Sequence, residues 1–215
     1  MKQAPTDFVG ASCYNKPMKR LAFALLCLAG YPHGAIPAQS GLMRYPAVAL
    51  DSPVPDVALR EMKTGKTVKL SDYRGKTLVG IFMAGWCNNT WKHDRRIEKL
   101  VADYKPKGIE FVAIHATLHE LDQDLLDKAE SRGLNLPMLD DKPRHELLQK
   151  IDAPCSPTFF VLDRNGVLRY KGGFDNNRDP QPVPYLRPVL EALLASKPLP
   201  YKQTTAYGCS LRRKV

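Results

Sequence analysis

The sequence predicts an α/β domain: a mixed central β-sheet with helices on both faces. Three observations predict it. Short apolar runs of strand length, at 77–84, 109–114 and 158–162, alternate with longer segments of helical spacing. The run 77–84 has no polar alternation, which suits a strand covered on both faces. The last run leads through Asp163-Arg164-Asn165-Gly166, whose Asn-Gly pair is a tight-turn signal, into 167–170. A terminal hairpin after strands separated by helices makes the sheet mixed.

The elements follow in order. Residues 56–60 and 67–70 flank Lys63-Thr64-Gly65-Lys66 and read as a hairpin with a glycine turn. Residues 71–76 form a turn before the buried strand. The next helix runs from about Asn88 to Tyr104, with Trp91, Ile97, Leu100, Val101 and Tyr104 at helical spacing and Gly108 just past its end. A strand at 109–114 precedes a helix at 118–131 that stops at Arg132-Gly133. Residues 136–139 read as a short edge or connection, and 143–151 as a short helix. After the hairpin, 184–196 is a last amphipathic helix, and 197–215 is a tail without a clear period. The expected organisation is a leader at 1–38, a Pro-rich lead-in at 39–55, one domain at 56–196 and the tail.

The leader reads as an export signal. Lys19-Arg20 precedes the apolar stretch 21–29, too short to span a bilayer, and small residues lead to a cleavage point near Ala38. Met18 is an alternative start. Cys27 is a poor lipidation site, because Leu26 stands where a small residue is expected. The expected location is periplasmic or secreted, with no stable membrane insertion after cleavage. Cleavage at Ala38 leaves 28 basic and 21 acidic residues, spread along the chain. No basic stripe is interleaved with aromatics, so nucleic acid is not an expected partner.

Cys87, Cys155 and Cys209 remain after such cleavage. Three thiols in an oxidising compartment cannot all pair within one chain, so one is free or the pairing changes during a cycle. Cys87 follows the buried strand and opens a helix. Unpaired N–H groups and the helix dipole favour thiolate there, which marks Cys87 as the candidate nucleophile. Lys92 and His93 could add positive potential. The alternative is an inert buried thiol. The histidines His115, His119 and His145 are read as structural or exposed, His93 as a solvated surface residue, and Trp86 and Trp91 as packing residues, with Trp86 also shielding the thiol. No Cys/His spacing calls for a metal, and no cofactor is expected.

Asp72-Tyr73-Arg74-Gly75-Lys76, the apolar strand, Trp86-Cys87, and Cys155-Ser156-Pro157 running into the strand and Asn165-Gly166 together resemble the thioredoxin-fold redoxins. These are the TlpA-like thiol–disulfide proteins and their AhpC/TSA-type relatives, and the resemblance spans roughly residues 50–196. The ending Tyr207-Gly208-Cys209-Ser210 is also similar to a Gly-Cys-Ser motif in one branch of redoxin-domain proteins. The resemblance implies a thioredoxin-like fold, a cis Pro157 facing Cys87, Ser156 holding substrate backbone, and Cys155 near Cys87. It implies thiol or disulfide partners and an upstream thiol reductant or oxidant.

One position departs from the pattern. The family's second cysteine, three residues after the first, is Thr90 here, and a hydroxyl cannot take over a disulfide. Cys155 is the first candidate to resolve a mixed disulfide, Cys209 the second, and an external thiol the third. Trp86, Thr90, Ser156 and Pro157 are the expected substrate contacts. A thiol peroxidase is a rival reading, although the Pro and Thr found seven and three residues before a peroxidatic cysteine are Gly80 and Ala84 here. A non-catalytic binding module is another. Copper delivery is a third, weakened because Trp91 stands four residues after Cys87.

Overall fold

The computed structural model describes residues 44–142, 144–178 and 181–211. The leader reading at 1–38 lies outside them. Seven strands form one sheet in the order β2-β1-β5-β4-β3-β7-β8. They are β1 (Ala58–Glu61), β2 (Thr67–Lys69), β3 (Thr77–Met83), β4 (Ile109–His115), β5 (Met138–Asp140), β7 (Thr158–Leu162) and β8 (Leu168–Gly172). β3, β4 and β5 run parallel, and the remaining neighbours are antiparallel, so the sheet is mixed. A second sheet consists of two short strands, β6 (Cys155–Ser156) and β9 (Cys209–Ser210). The helices are α1 (Asn88–Trp91), α2 (Asp94–Tyr104), α3 (Asp122–Ser131), α4 (Glu146–Ile151) and α5 (Leu186–Leu194).

The unalternated apolar run became the central strand. All seven residues of β3 are buried, with Val79, Ile81 and Met83 in one core and Leu78 and Phe82 in the other. The first core also holds Ile97, Leu100 and Tyr104 of α2, Leu125 of α3, and Leu186, Val189 and Leu190 of α5. The second holds Leu147, Leu148 and Ile151 of α4 with Val54 of the lead-in and Val57 just before β1. Each large aliphatic side chain so buried contributes about 1.5–3 kcal/mol, so the sheet is stabilised from both faces. Gly80 is needed at the centre, because a Cβ there would lie 2.0 Å from the Phe160 ring.

Three expectations change. The strand at 136–139 is not an edge: β5 lies between β1 and β4. The helix expected from Asn88 to Tyr104 is two helices. His93 N–H bonds Thr90 O, three residues back, and four-residue spacing resumes with Ile97 N–H to His93 O at 2.7 Å. The tail, which has no readable period, supplies β9. Its side-chain pattern carries no strand signal because only two residues pair.

Candidate active site

Parallel pairing of β3 and β4 sets Met83 opposite His115, so the loops leaving both strands meet at one end of the sheet. Cys87 ends the first loop as the N-cap of α1, with extended backbone. The preceding peptide is held from both sides. Trp91 Nε1–H donates to Gly85 O at 2.6 Å, while Gly85 N–H and Trp86 N–H donate to the Glu120 carboxylate at 2.9 and 3.0 Å. A Cβ at residue 85 would lie 2.4 Å from that carboxylate, so glycine permits the close approach.

The β6–β9 register decides which other sulfur reaches Cys87. Ser156 stands opposite Cys209, and Cys155 opposite Ser210. Directly opposed residues share a face, and successive residues alternate faces. Ser156 faces the Cys87 side: its hydroxyl accepts Ala84 N–H at 2.9 Å and lies 2.7 Å from Thr90 Oγ1. Cys209 therefore faces it too, and its Sγ is 2.7 Å from Cys87 Sγ. Cys155 takes the other face, buried, with its thiol 3.9 Å from Thr158 Oγ1. Of the two candidate resolving thiols, the structure brings the second, Cys209, to Cys87. The Ser156–Pro157 bond is cis and Pro157 is buried beside this ladder.

Thr90 supplies hydrogen bonds where a second thiol was expected. Its N–H donates to the Cys87 carbonyl oxygen at 3.0 Å. Its hydroxyl shares a 2.7 Å hydrogen bond with Ser156 Oγ, which accepts Ala84 N–H, so the Thr90 side chain is fixed beside Cys87. Burial pushes the Cys87 thiol up, but hydrogen bonds from the Cys209 thiol, from Thr90 and from Cys209 N–H outweigh it, and the net direction is down. Ser156 O, 3.0 Å from the sulfur, accepts the proton when Cys87 is a thiol. Cys209 is pushed up to about 11 by burial and by its hydrogen bond to, and charge repulsion from, Cys87, although Asn89 donates to it. Of the two thiols, Cys87 is the one favoured as thiolate and Cys209 the one that holds its proton more tightly. Cys87 is 0% exposed and Cys209 is partly exposed.

The sequence carries no sign of Glu120, and His115, read as structural or exposed, is buried beside it. His115 Nε2 lies 3.1 Å from Glu120, and its Nδ1 lies 3.2 Å from Asp122, which Lys142 bonds at 2.8 Å. Burial pushes the Glu120 carboxyl up, but the hydrogen bond from His115, the loop N–H groups and the His115 charge hold it below its ordinary range. No local motif marks Glu120; the usable signal was that two parallel strands bring their following loops together. His93 is a correction: it is buried, stacked on Phe174 at 5.4 Å, not solvated. Trp91 packs in the core, whereas Trp86 is 51% exposed beside Cys87 and so does not pack. Among the described residues no cluster of three or more His, Cys, Asp or Glu could hold a metal ion, and no helix is long and apolar enough to cross a membrane.

The model of the AhpC/TSA family matches residues 50–171. The thiol-disulfide oxidoreductase ResA of Geobacillus kaustophilus (strain HTA426) is 32% identical over 123 residues, 57% of this chain and 68% of that protein. Among solved structures, an uncharacterized conserved protein from Geobacillus kaustophilus superposes with a TM-score of 0.69 at 30% identity, covering 77% of this chain and 93% of that one. A putative thiol:disulfide interchange protein DsbE from Chlorobium tepidum superposes with a TM-score of 0.50 at 27% identity, covering 58% and 85%.

Proposed function

Because this chain belongs to the AhpC/TSA family and is a thiol–disulfide oxidoreductase of thioredoxin fold, we propose that it works as a two-cysteine redoxin on Cys87 and Cys209. It cycles between a dithiol and an internal disulfide, exchanging two electrons with external thiols or disulfides. The 2.7 Å approach of the two sulfurs carries this reading. Thr90 then has a definite role: it gives the Cys87 thiolate donors, while the second sulfur comes from the tail. Substrate would meet the site beside Trp86, Ser156 and Pro157. The export reading of the leader fits a protein of this chemistry and belongs to the same proposal.

The test is a thiol count and peptide map. Mild oxidation of the reduced protein should consume two of the three thiols at 87, 155 and 209 and link the Cys87 and Cys209 peptides. Cys87→Ser should abolish insulin reduction. A disulfide that includes Cys155, or turnover undiminished in Cys87→Ser, refutes the reading. A stoichiometric adduct without turnover in the wild-type protein would instead make it a binding module.

A further inference from the structure

We infer that Cys209, not Cys87, is the sulfur that exchanges with the outside partner, and that Cys87 is the internal sulfur released from and returned to the bond between them. This rests on the Cys87–Cys209 cycle proposed above and adds its order of events.

Three observations on geometry carry it. Cys87 has no exposed surface, while Cys209, on β9, is partly exposed. The surroundings of the Cys87 sulfur are filled: Ser156 O lies at 3.0 Å and Cys209 Sγ at 2.7 Å. Exchange at sulfur is an in-line displacement, with attacking, central and leaving sulfurs nearly collinear. Attack at Cys209 comes from the side away from Cys87, where the tail faces solvent. Attack at Cys87 would come from the side away from Cys209, where the sulfur is covered by protein.

The donors agree with this direction. The Thr90 side chain, held by Ser156 Oγ at 2.7 Å, favours the Cys87 thiolate, the charge that appears when Cys87 leaves. The sulfur whose thiolate is better stabilised is the better leaving group. That is Cys87, held below the usual thiol range, against Cys209, pushed up to about 11.

The steps balance. An external thiolate RS⁻ attacks Cys209 Sγ; the Cys87–Cys209 bond breaks, an RS–Cys209 bond forms, and the electron pair leaves on Cys87. A second RS⁻ attacks the R sulfur, forming RSSR and expelling Cys209 as thiolate, which takes a proton from water. Two thiolates are oxidised to one disulfide, and the protein disulfide is reduced. In reverse, Cys87 thiolate attacks an RS–Cys209 adduct and expels RS⁻.

The experiment uses the oxidised full-length protein, after mapping has located its disulfide. It is exposed briefly to glutathione, quenched in acid, alkylated and mapped. Glutathione should sit on Cys209 with the alkyl group on Cys87. Glutathione on Cys87 with the alkyl group on Cys209 overturns the inference while leaving the two-cysteine cycle intact. Absence of a Cys87–Cys209 bond before glutathione is added overturns the cycle itself, and with it the inference. With glutathione disulfide, access outweighs thiolate fraction: reduced Cys87→Ser should accumulate the adduct on Cys209 faster than Cys209→Ser accumulates it on the enclosed Cys87. Equal or opposite rates count against the inference.

Discussion

Replacing Gly208 by alanine tests whether the tail delivers the second sulfur. The Gly208 backbone is not in the left-handed region; the obstacle is space. A Cβ would lie 1.9 Å from Ser156 O, 2.6 Å from Ser156 C and 3.1 Å from Pro157 N. All three are backbone atoms, so none can rotate aside. Restoring an ordinary contact of 3.4 Å moves the tail outward by about 1.5 Å, and Cys209 is the next residue. A displacement of roughly 1 Å in a prepositioned pair can cost about 100-fold in rate. Gly208→Ala should therefore slow Cys87–Cys209 bond formation by about 100-fold, read as the rate of internal disulfide formation when the reduced protein is oxidised. Global stability should fall by no more than about 1–3 kcal/mol, the usual cost of overpacking, because the tail can lift while both cores stay in place. A variant that closes the internal disulfide at the wild-type rate would refute the argument.

Two further outcomes follow from the same geometry. Thr90→Val keeps the side-chain shape and the N–H but removes the hydroxyl donor to Cys87; a hydrogen bond to a charged group is worth about 1.5–3 kcal/mol. The Cys87 thiolate should then form at higher pH, and its alkylation below that point should slow by about tenfold or more. An unchanged midpoint in the pH profile of Cys87 alkylation would show that the hydroxyl does not act on the sulfur. Glu120→Ala strips acceptors from Gly85 and Trp86 N–H and a partner from His115. A buried donor left without its acceptor costs about 1–3 kcal/mol, so urea denaturation should show a loss of at least about 2 kcal/mol, and a loss below about 1 kcal/mol would mean that the loop holds itself.

What the sequence made legible was regular and local. The run 77–84 announced a buried central strand, and β3 is buried at every position. Asn165-Gly166 announced the β7–β8 hairpin, which forms. Trp86-Cys87 at a strand-to-helix junction placed the nucleophile at a helix start, where Cys87 is the N-cap. What was illegible depends on pairing across long separations. Cys155 adjoins the Ser156-Pro157 motif and so ranked ahead of Cys209, but alternation along a two-residue strand turns it away while the opposed Cys209 is turned inward. Glu120 lies far from Cys87 along the chain and becomes its neighbour's acceptor only through the parallel register of β3 and β4. His93 looks solvated by composition alone; stacking on Phe174 and contact with Arg96 Nη1 at 3.3 Å bury it.

The position of the second sulfur changes what the fold contributes to the chemistry. Two cysteines in one helix turn remain close whatever the rest of the chain does. Cys87 and Cys209 are 122 residues apart in sequence, so only the folded tail keeps them together. The tail is tied down along its length: Lys171 N–H to Lys202 O at 3.1 Å, Tyr170 Oη to Thr204 Oγ1 at 2.6 Å, and Leu211 N–H to Pro154 O at 3.2 Å. In the proposed oxidised form, a covalent link across a loop of this size restricts the unfolded chain by nearly 5 kcal/mol in the chain-entropy model, about 4.7 kcal/mol for 100 residues. Linkage makes the relation mutual: whatever docks the tail favours the disulfide, and the disulfide favours the docked tail. A thiol pair built this way reports on the state of the tail, because loosening β9 weakens the internal bond and exposes Cys87 in the same movement.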